Sequence, residues 1–315
     1  MALRLPTGNA ICYSGYRDGQ SPAARLYPSL AEIREDLHLL APHWPLVRLY
    51  DCTTHAERVL QVIREDHLPM QVMLGAWLDA ESDNPGCPWG GVHGLAQLEA
   101  NRATNDQEID RLVLLAREYD DIVFSVAVGN EATVGWTDHL VPVPRMIEHV
   151  RRVRARVKQP VTVCENHVPW RHELRELADE LDFISLHSYA LWEHKSIEEA
   201  LAHTRDDVAA VAALHPGKPV VITEAGWCTA SNGRGMNPAQ ATPEAQARYL
   251  RELIDWAQSE GVLCFVFEAF DEAWKGSSDP LEPEKHWGLF TADRRPKLAV
   301  RHLHPDLPPV PAAHA

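Results

Sequence analysis

The sequence has little positive charge for its size. Its 315 residues contain 30 Lys and Arg against 45 Asp and Glu, which gives a net charge of -15 at pH 7. A surface with this excess of carboxylates repels the phosphates of nucleic acids and the headgroups of anionic lipids. We therefore expect neither a nucleic-acid partner nor an acidic substrate.

Long apolar runs are also missing. No stretch approaches the roughly 20 consecutive apolar residues that span a bilayer, and no signal-peptide pattern precedes the first strand-like run at Ala10. We expect no membrane-spanning segment in this chain. The Pro-rich residues 306–315 are typical of a tail or linker. They are compatible with a soluble domain of a longer exported or membrane protein, and the cellular compartment is left open.

Cofactor and metal motifs are absent. The six cysteines lack the C-x-x-C spacing of a metal site, and we interpret them as free thiols, with a bridge between Cys12 and Cys52 left open. No G-x-G-x-x-G follows the first strand, and no serine lies in a G-x-S-x-G turn. His167, His172 and Glu165 run from a strand end into a helix start without H-E-x-x-H spacing. We expect neither a cofactor nor a metal ion.

Eight strand-like apolar runs alternate with segments of helical period. The runs are residues 10–13, 46–50, 71–76, 122–128, 161–164, 183–187, 220–223 and 264–268. Three helix starts show the capping-box pattern of a hydroxyl residue followed three positions later by Glu: Ser29 with Glu32, Thr54 with Glu57, and Ser196 with Glu199. The alternation predicts an α/β fold, a single (β/α)8 barrel over residues 1–305. An open doubly wound sheet is the alternative, but its Gly-rich turn is missing.

Two glutamates stand where apolar runs end. Glu131 follows residues 122–130, and Glu224 follows residues 220–223. Ligands bind at the carboxyl ends of barrel strands, and strands four and seven face each other across the barrel mouth. Cleavage of an acetal with retention needs two carboxyl groups about 5–5.5 Å apart. We predict Glu131 as the acid/base and Glu224 as the nucleophile. The alternative is a structural role in which both pair with an arginine such as Arg48.

Aromatic and charged residues gather in the loops after the same strand ends. Aromatic faces stack on sugar rings, although packing of helices on the barrel is the alternative for any single one. Asn130 is placed to bond a sugar 2-hydroxyl, Tyr189 to hold the nucleophile, and Lys275 to orient carboxylates. For His187 a core position is the alternative, and for Glu272 a surface salt bridge. The predicted substrate-binding residues are Tyr13, Arg48, Tyr50, Trp77, Asn130, His187, Tyr189, Trp192, Trp227, Glu268, Asp271, Glu272, Trp274 and Lys275.

Together these motifs resemble glycoside hydrolase family 17, the β-1,3-glucan-active branch of the retaining barrel enzymes, over nearly the whole chain. The resemblance rests on Val-Gly-Asn-Glu at 128–131, Thr-Glu-Ala-Gly-Trp at 223–227, and residues 270–275 and 284–290. It implies a double displacement on β-1,3-linked glucose without a cofactor. It also implies that Lys275 and Glu284 are auxiliary site residues.

At two places the chain differs from plant members of that family and is similar to bacterial members. One is the first-strand motif at residues 13–20, and the other is Gly-Trp-Cys at 226–228, where plant members have Gly-Trp-Pro. The likeness implies Arg17 and Asp18 as further binding residues. Some bacterial members resemble glycosidase domains of membrane β-glucan synthases, which implies a synthase as parent or partner protein. We therefore expect a β-1,3-glucanosyltransferase that takes a glucan or gluco-oligosaccharide as donor and as acceptor. The alternatives are a plain β-1,3-glucanase, another retaining barrel glycosidase such as a mannanase, or a non-catalytic glucan-binding module.

Overall fold

Eight parallel strands close into a barrel in chain order. The computed structural model describes residues 3–307, so most of the predicted tail, residues 306–315, lies outside the described part. The predicted fold, a (β/α)8 barrel, is confirmed. The strands are β1 Ala10–Cys12, β2 Leu46–Arg48, β3 Gln71–Ala76, β4 Val123–Asn130, β5 Val161–Asn166, β6 Ile184–Ser188, β7 Val220–Ala225 and β8 Cys264–Val266.

Helices connect the strands and pack against the barrel. They are α1 Leu30–Leu40, α2 Thr54–Glu65, α3 Leu95–Glu118, α4 Val143–Arg154, α5 His167–Trp170, α6 Arg175–Asp179, α7 Ala200–Leu214, α8 Pro243–Glu260 and α9 Leu298–Leu303. Short 3₁₀ turns lie at Pro238–Gln240 and Pro283–Lys285. Between residues 3 and 307, every helix is too short or too polar to cross a bilayer.

One of the three predicted capping boxes forms as expected. Ser29 Oγ accepts from the backbone N–H of Glu32 at 3.2 Å, and Glu32 Oε2 accepts from the N–H of Ser29 at 2.7 Å. This reciprocal pair satisfies two N–H groups that a helix start otherwise leaves without partners. The sequence pattern therefore places the start of α1 correctly.

The other two helix starts differ from the prediction. Thr53, not Thr54, caps α2, because the Thr53 hydroxyl accepts from His55 N while Asp51 Oδ1 fixes the Thr53 N–H at 2.9 Å. The pair at Ser196 and Glu199 does form, with Glu199 Oε2 2.9 Å from Ser196 N, but it closes a turn. Helix α7 begins only after that turn, at Ala200.

The strand ends, rather than the strand centres, depart from the predicted bounds. Strands β4, β5 and β7 each run two residues further, so that Asn130 and Glu224 become strand residues. Strands β1, β2 and β8 stop earlier because the chain turns there into the loops at the carboxyl-terminal face. These ends build the site described below.

The bridge left open between Cys12 and Cys52 is not formed. Both side chains are buried free thiols, like the other cysteines of the described chain. Cys12 Sγ donates to Thr223 O and Cys52 Sγ to Gly75 O, each at 3.2 Å. The two thiols thus belong to different strand contacts.

Candidate active site

The carboxylate of Glu224 lies near the end of β7, where it is almost completely buried. Its Oε1 accepts from Arg48 Nη1 at 2.5 Å and from Tyr50 OH at 3.0 Å, and its Oε2 accepts from Tyr189 OH at 2.6 Å. Burial alone raises the pKa of Glu224, but the charges of His187 and Arg48 and the Tyr189 hydrogen bond hold that pKa at about 2. Glu224 is therefore a fixed, ionised carboxylate.

Glu131 directly follows β4 and is turned into the barrel mouth by its backbone. It adopts φ of 46°, a left-handed conformation that is unusual outside glycine, and its N–H donates to Cys164 O at 2.9 Å. Residues held in this region cost on the order of 1–3 kcal/mol and cluster at functional sites. The Glu131 side chain stays 28% exposed, so that a ligand in the mouth can reach it.

One imidazole joins the two glutamates. His187 Nδ1, from β6, lies 2.9 Å from Glu131 Oε1 and 3.4 Å from Glu224 Oε2. Burial lowers the pKa of His187, but the Glu224 charge and hydrogen bonds to Cys164 and Glu131 raise it to about 10. The ring is thus an imidazolium. Because Glu131 Oε1 and Glu224 Oε2 both lie close to His187 Nδ1, the two oxygens also lie close to each other.

Arg48, from β2, ties three strands together beneath the site. Its Nη1 also donates to Thr223 O at 3.2 Å, and its Nη2 donates to Asn130 Oδ1. Arg48 is only 1% exposed, so the prediction that it binds substrate is wrong; it positions Glu224 and Asn130 instead. Since Asn130 Oδ1 is occupied, the amide NH₂ of Asn130 is the group left to donate to a ligand.

A second charged group lies after β8. Lys275 Nζ is 2.9 Å from Glu268 Oε2 and 2.5 Å from Glu272 Oε2, and both carboxylates are buried. Ser14 and Trp274 Nε1 donate to Glu272 Oε1. The alternative of a surface salt bridge for Glu272 is therefore wrong.

The pKa values of this group follow from its burial. Burial and the neighbouring Glu272 charge raise the pKa of Glu268, whereas Lys275 lowers the pKa of Glu272 against the effect of burial. Burial alone would lower the pKa of Lys275, but the two carboxylates raise it. Lys275 is thus a permanent cation, with its ammonium 4.6 Å from the ring centre of Phe267, which packs on Tyr189.

Glu284 and Asp271 differ in what they face. Glu284 is one-third exposed and lies 3.6 Å from Arg234 Nη2; burial raises its pKa, and the Lys275 charge lowers it. Asp271 instead accepts from Lys297 Nζ at 2.6 Å and from the backbone N–H of Gly288 at 3.0 Å. Asp271 is therefore committed to holding the loop after β8, which corrects its predicted role in substrate binding.

Exposed aromatic surface lies near the end of β4. Trp77 is 38% exposed and its ring lies 4.5 Å from that of His139, which bonds Asn130 O at 2.9 Å. A cleft of about 310 Å³ opens here. It is lined by Trp77, Asp79, Ala80, His93, Gln97, Asn101, Asp138 and His139. His139 is absent from the sequence prediction; its position in the loop after β4 is the only sequence signal for it.

Aromatic rings also surround Tyr189. Its ring lies edge-on to Trp287 at 5.2 Å, and Trp192 lies 6.0 Å from Trp287 at a tilt. Trp287 is fully buried, whereas Tyr189 and Trp192 are partly exposed. The structure therefore brings Tyr50, Tyr189 and Trp192 to the same side of the mouth as Glu224.

Two predicted aromatic residues lie outside the cleft. Tyr13 is fully buried, and its hydroxyl donates to Asp36 at 3.0 Å. Trp227 is also fully buried, with Nε1 donating to Gln240 O at 2.8 Å. Both predictions of substrate contact are wrong, because these side chains point toward the helices.

Arg17 and Asp18 likewise lie apart from Glu131 and Glu224. Arg17 Nη2 pairs with Glu35 at 2.8 Å and with Asp36 at 2.9 Å on α1. Its guanidinium is thereby occupied, so its predicted role in binding is corrected to one in packing. Asp18 lies exposed in a turn, with no hydrogen bond or ion pair to the residues that the structure describes.

The fold and the paired carboxylates define a barrel of the glycoside hydrolase class. The model of the BtgE/BtgC glycoside hydrolase domain matches residues 10–288, and the chain belongs to this family.

Two curated relatives cover most of the chain. It is 26% identical to glucan 1,3-β-glucosidase of Arthroderma benhamiae, across 85% of the chain and 83% of that protein. It is 27% identical to the probable glucan endo-1,3-β-glucosidase btgC of Aspergillus clavatus across 90% of the chain. That match covers only 41% of the Aspergillus protein.

Two solved structures share the architecture. An endo-laminarinase from Formosa Hel1_33_131 superposes with a TM-score of 0.78 at 27% identity, over 95% of this chain and 87% of that one. The β-1,3-glucanosyltransferase of Rhizomucor miehei superposes with a TM-score of 0.72, over 93% of this chain and 96% of that one. Its identity is 21%, so this second likeness shows the fold alone.

Proposed function

We propose that the protein is a retaining enzyme of glycoside hydrolase family 17 that acts on β-1,3-glucan through a glucosyl ester on Glu224. The observation that carries this proposal is His187 Nδ1 between Glu131 and Glu224. Since one nitrogen lies within 3.4 Å of an oxygen of each glutamate, the two carboxyl groups lie close together. This supports retention over inversion, which leaves roughly 6.5–9.5 Å between the carboxyl groups for a water. The substrate is inferred from the relatives and the solved laminarinase, which act on 1,3-β-glucan or laminarin.

In the first step Glu131, as the carboxylic acid, gives its proton to the glycosidic oxygen. A Glu224 oxygen attacks the anomeric carbon, the bond to the leaving sugar breaks, and a glucosyl ester forms. In the second step Glu131 removes a proton from an acceptor hydroxyl, whose oxygen attacks the same carbon and releases Glu224 as a carboxylate. Two displacements return the anomeric carbon to its original configuration.

The surroundings of Glu224 suit both steps. A pKa of about 2 keeps the carboxylate ionised and available for attack. Arg48, Tyr50 and Tyr189 donate to its oxygens, and the same hydrogen bonds stabilise the carboxylate as a leaving group when the ester is broken. The Asn130 NH₂ is the donor available for the sugar 2-hydroxyl, whose hydrogen bond strengthens in the transition state.

Hydrolysis and transfer differ only in the acceptor. The two glucan 1,3-β-glucosidases and the Formosa endo-laminarinase are hydrolases. This supports water as the acceptor. The cleft beside Trp77 supports the second candidate, transfer to another glucan. Its exposed indole packs on His139, which bonds the backbone of Asn130, and it provides a stacking surface for an acceptor sugar. Association with a membrane β-glucan synthase and membership of the bacterial branch stay predictions.

Trapping of the ester tests the proposal. The protein is incubated with a 2-deoxy-2-fluoro-β-glucosyl donor, digested and analysed by mass spectrometry; we expect the added sugar on the peptide that contains Glu224. The control is Glu224→Gln, which should bind laminari-oligosaccharides but neither trap the label nor turn over. A label on another residue, or turnover by the variant at the wild-type rate, contradicts the nucleophile assignment.

Product masses then separate the two acceptors. Laminari-oligosaccharides of defined length are incubated with the enzyme, and the products are weighed at increasing substrate concentration. Products longer than the substrate show transfer, whereas exclusively shorter products show hydrolysis and rule out the transferase. An α-configured first product by NMR would contradict retention itself.

A further inference from the structure

A cluster of two histidines and two carboxylates lies outside the Glu131–Glu224 site. His167 begins α5, Glu193 lies in the loop after β6, and His203 and Asp207 lie on α7 at i and i+4. One nitrogen or oxygen of each residue falls within a group whose atoms are all within 4.8 Å of one another. Three separate segments therefore converge on one point.

The distances inside this cluster match those of ligands around one ion. His167 Nδ1 is 3.2 Å from Asp207 Oδ1, and His203 Nε2 is 3.4 Å from Asp207 Oδ2 and 3.2 Å from Glu193 Oε2. For a tetrahedral zinc ion with bonds of about 2.0–2.1 Å, neighbouring ligand atoms lie about 3.3 Å apart. Three contacts in the cluster lie near this spacing, and both oxygens of Asp207 take part in them.

The two imidazole nitrogens are also not used in hydrogen bonds. Within residues 3–307, neither His167 Nδ1 nor His203 Nε2 has a hydrogen-bond partner, although carboxylate oxygens lie nearby. The His167 side chain is only 3% exposed, so its Nδ1 cannot turn to solvent. Nitrogen and oxygen atoms that lie close together but are not aligned with each other are the arrangement expected when both point to a shared cation.

The neighbouring contacts orient the proposed ligands. His167 Nε2 lies 2.7 Å from Glu193 Oε1, and His203 Nε2 lies 3.2 Å from Glu193 Oε2, so Glu193 contacts both histidines. Ser188 Oγ donates to Asp207 Oδ2 at 2.7 Å, and Arg171 Nη2 lies 2.5 Å from Asp207 Oδ1. Metal-binding histidines and carboxylates in proteins are held by such outer contacts. With one guanidinium against two carboxylates, the cluster keeps one net negative charge for a cation.

We propose that His167, Glu193, His203 and Asp207 bind one divalent transition-metal ion, with zinc the best match to two nitrogen and two oxygen ligands in tetrahedral geometry. The ion ties the loop after β6 to α5 and α7. That loop begins at Tyr189, whose hydroxyl donates to the proposed nucleophile Glu224. The metal is structural, and its binding is independent of the proposed reaction.

This site differs from the group that the sequence analysis considered and set aside. Glu165 is bonded to Thr133, with the Thr133 N–H at 2.8 Å, and His172 is exposed on the surface. Only His167 of the three belongs to the cluster. The sequence signal is His-x-x-x-Asp on α7, which places both side chains on one face of the helix.

The test uses the full chain after chelator treatment and removal of the chelator. Zinc chloride is titrated in, bound zinc is quantified by inductively coupled plasma mass spectrometry, and the melting temperature is measured at each step. We expect one tightly bound zinc per chain and a rise in melting temperature. With cobalt(II) in place of zinc, we expect the intense visible absorption of a tetrahedral site.

Variants locate the site. In His203→Gln combined with Asp207→Asn, we expect zinc affinity to fall by on the order of 100-fold or more and the thermal shift to vanish. His172→Gln is the matched control for a surface histidine. His43→Gln removes a histidine from the exposed group of His43, His304 and Asp306; both controls should bind as wild type.

Three results would overturn the proposal. They are no zinc retained by the wild type above the level of a non-binding protein, an octahedral cobalt spectrum, or equal zinc affinity in the double variant. Because the wild-type cobalt spectrum needs no substitution, the proposal stays testable even if the double variant does not fold. Failure of zinc binding leaves the trapping experiment on Glu224 unaffected.

Discussion

Arg48 and Glu224 form an ion pair of 2.5 Å that runs from β2 to β7 and is almost entirely buried. Burial of two charges costs several kcal/mol per ion, so such a pair adds little to stability compared with apolar side chains of the same size. Its benefit lies in the site. It keeps Glu224 ionised and gives it a single orientation toward the barrel mouth.

Replacement of Arg48 by Met should damage both function and stability. The pKa of Glu224 should rise from about 2, because an attracting charge is lost and burial remains. We expect the acidic limb of the kcat/KM profile to move to higher pH and kcat to fall by about 10²–10³-fold. Breaking one side of a buried pair should also cost about 3–5 kcal/mol in the free energy of unfolding.

The matched control for this variant is Arg151→Met. Arg151 pairs with Glu180 on the surface, and such pairs contribute little, so its melting temperature and pH profile should be those of the wild type. An unchanged acidic limb in Arg48→Met would refute the role given to Arg48. Stability is measured by thermal unfolding and activity by release of reducing sugar.

The imidazolium of His187 should give the protein a stability that depends on pH. Its pKa is raised from the ordinary 6.5 to about 10 in the folded state, so its contribution is fully present below pH 6.5 and is lost as the pH rises through 10. The pKa of Glu224 is lowered from 4.5 to about 2, so its contribution is present above pH 4.5 and is lost as the pH falls toward 2. Between these windows the melting temperature should be nearly constant.

Calorimetry between about pH 6 and pH 10 at fixed ionic strength measures this dependence of the melting temperature. In His187→Asn the alkaline decline should be clearly shallower than in the wild type. His172→Asn, a change at an exposed histidine, should leave the decline as it is. Equal slopes in all three proteins would show that His187 is not charged in the folded state.

Trp77→Ala tests whether the cleft lined by Trp77 and His139 holds an acceptor sugar. The substitution removes an exposed indole that packs on His139. Aromatic contacts of this kind contribute about 0.5–1.5 kcal/mol beyond burial, which corresponds to roughly a twofold to tenfold loss in acceptor binding. We expect the ratio of transfer to hydrolysis to fall by about that factor while hydrolysis itself is largely kept.

The comparison variant is Trp136→Ala, because Trp136 is exposed to the same extent, 38%, and does not line the cleft. Products are quantified by chromatography over a range of acceptor concentrations. If both variants change the product ratio equally, the cleft has no specific part in acceptor binding.

Sequence reasoning finds the strands and both glutamates because each is a local signal, an apolar run followed by a charge. It misplaces Trp227 because this residue lies beyond the end of β7, where the alternation of a strand no longer predicts the direction of a side chain. The Trp227 ring packs on Tyr249 of α8 instead. Contacts between distant segments leave no such signal. Lys297, at the start of α9, donates to Asp271. Arg48 ends the apolar strand β2, and nothing in that local sequence indicates its ion pair with Glu224.

Gly226 shows how closely the chain packs behind Glu224, and it allows a stability test of the site. A Cβ at this position would lie 2.1 Å from Phe267 O, between the ends of β7 and β8. Gly226→Ala must therefore push apart the segments that carry Glu224 and Glu268. Overpacking of this kind typically costs about 1–3 kcal/mol, and the displacement should also lower kcat.

Gly94→Ala is the control for Gly226→Ala. Gly94 caps α3 with φ of -75°, and no described atom lies within 4 Å of its added Cβ. We expect this variant to keep the wild-type kcat and nearly the wild-type melting temperature. For Gly226→Ala we expect a lower melting temperature together with a loss of kcat that exceeds any change in KM, since Glu224 is displaced while the aromatic surfaces remain. Wild-type kcat in Gly226→Ala would mean that the end of β7 adapts without moving its carboxylate, and the close contact with Phe267 would then have no part in positioning the nucleophile.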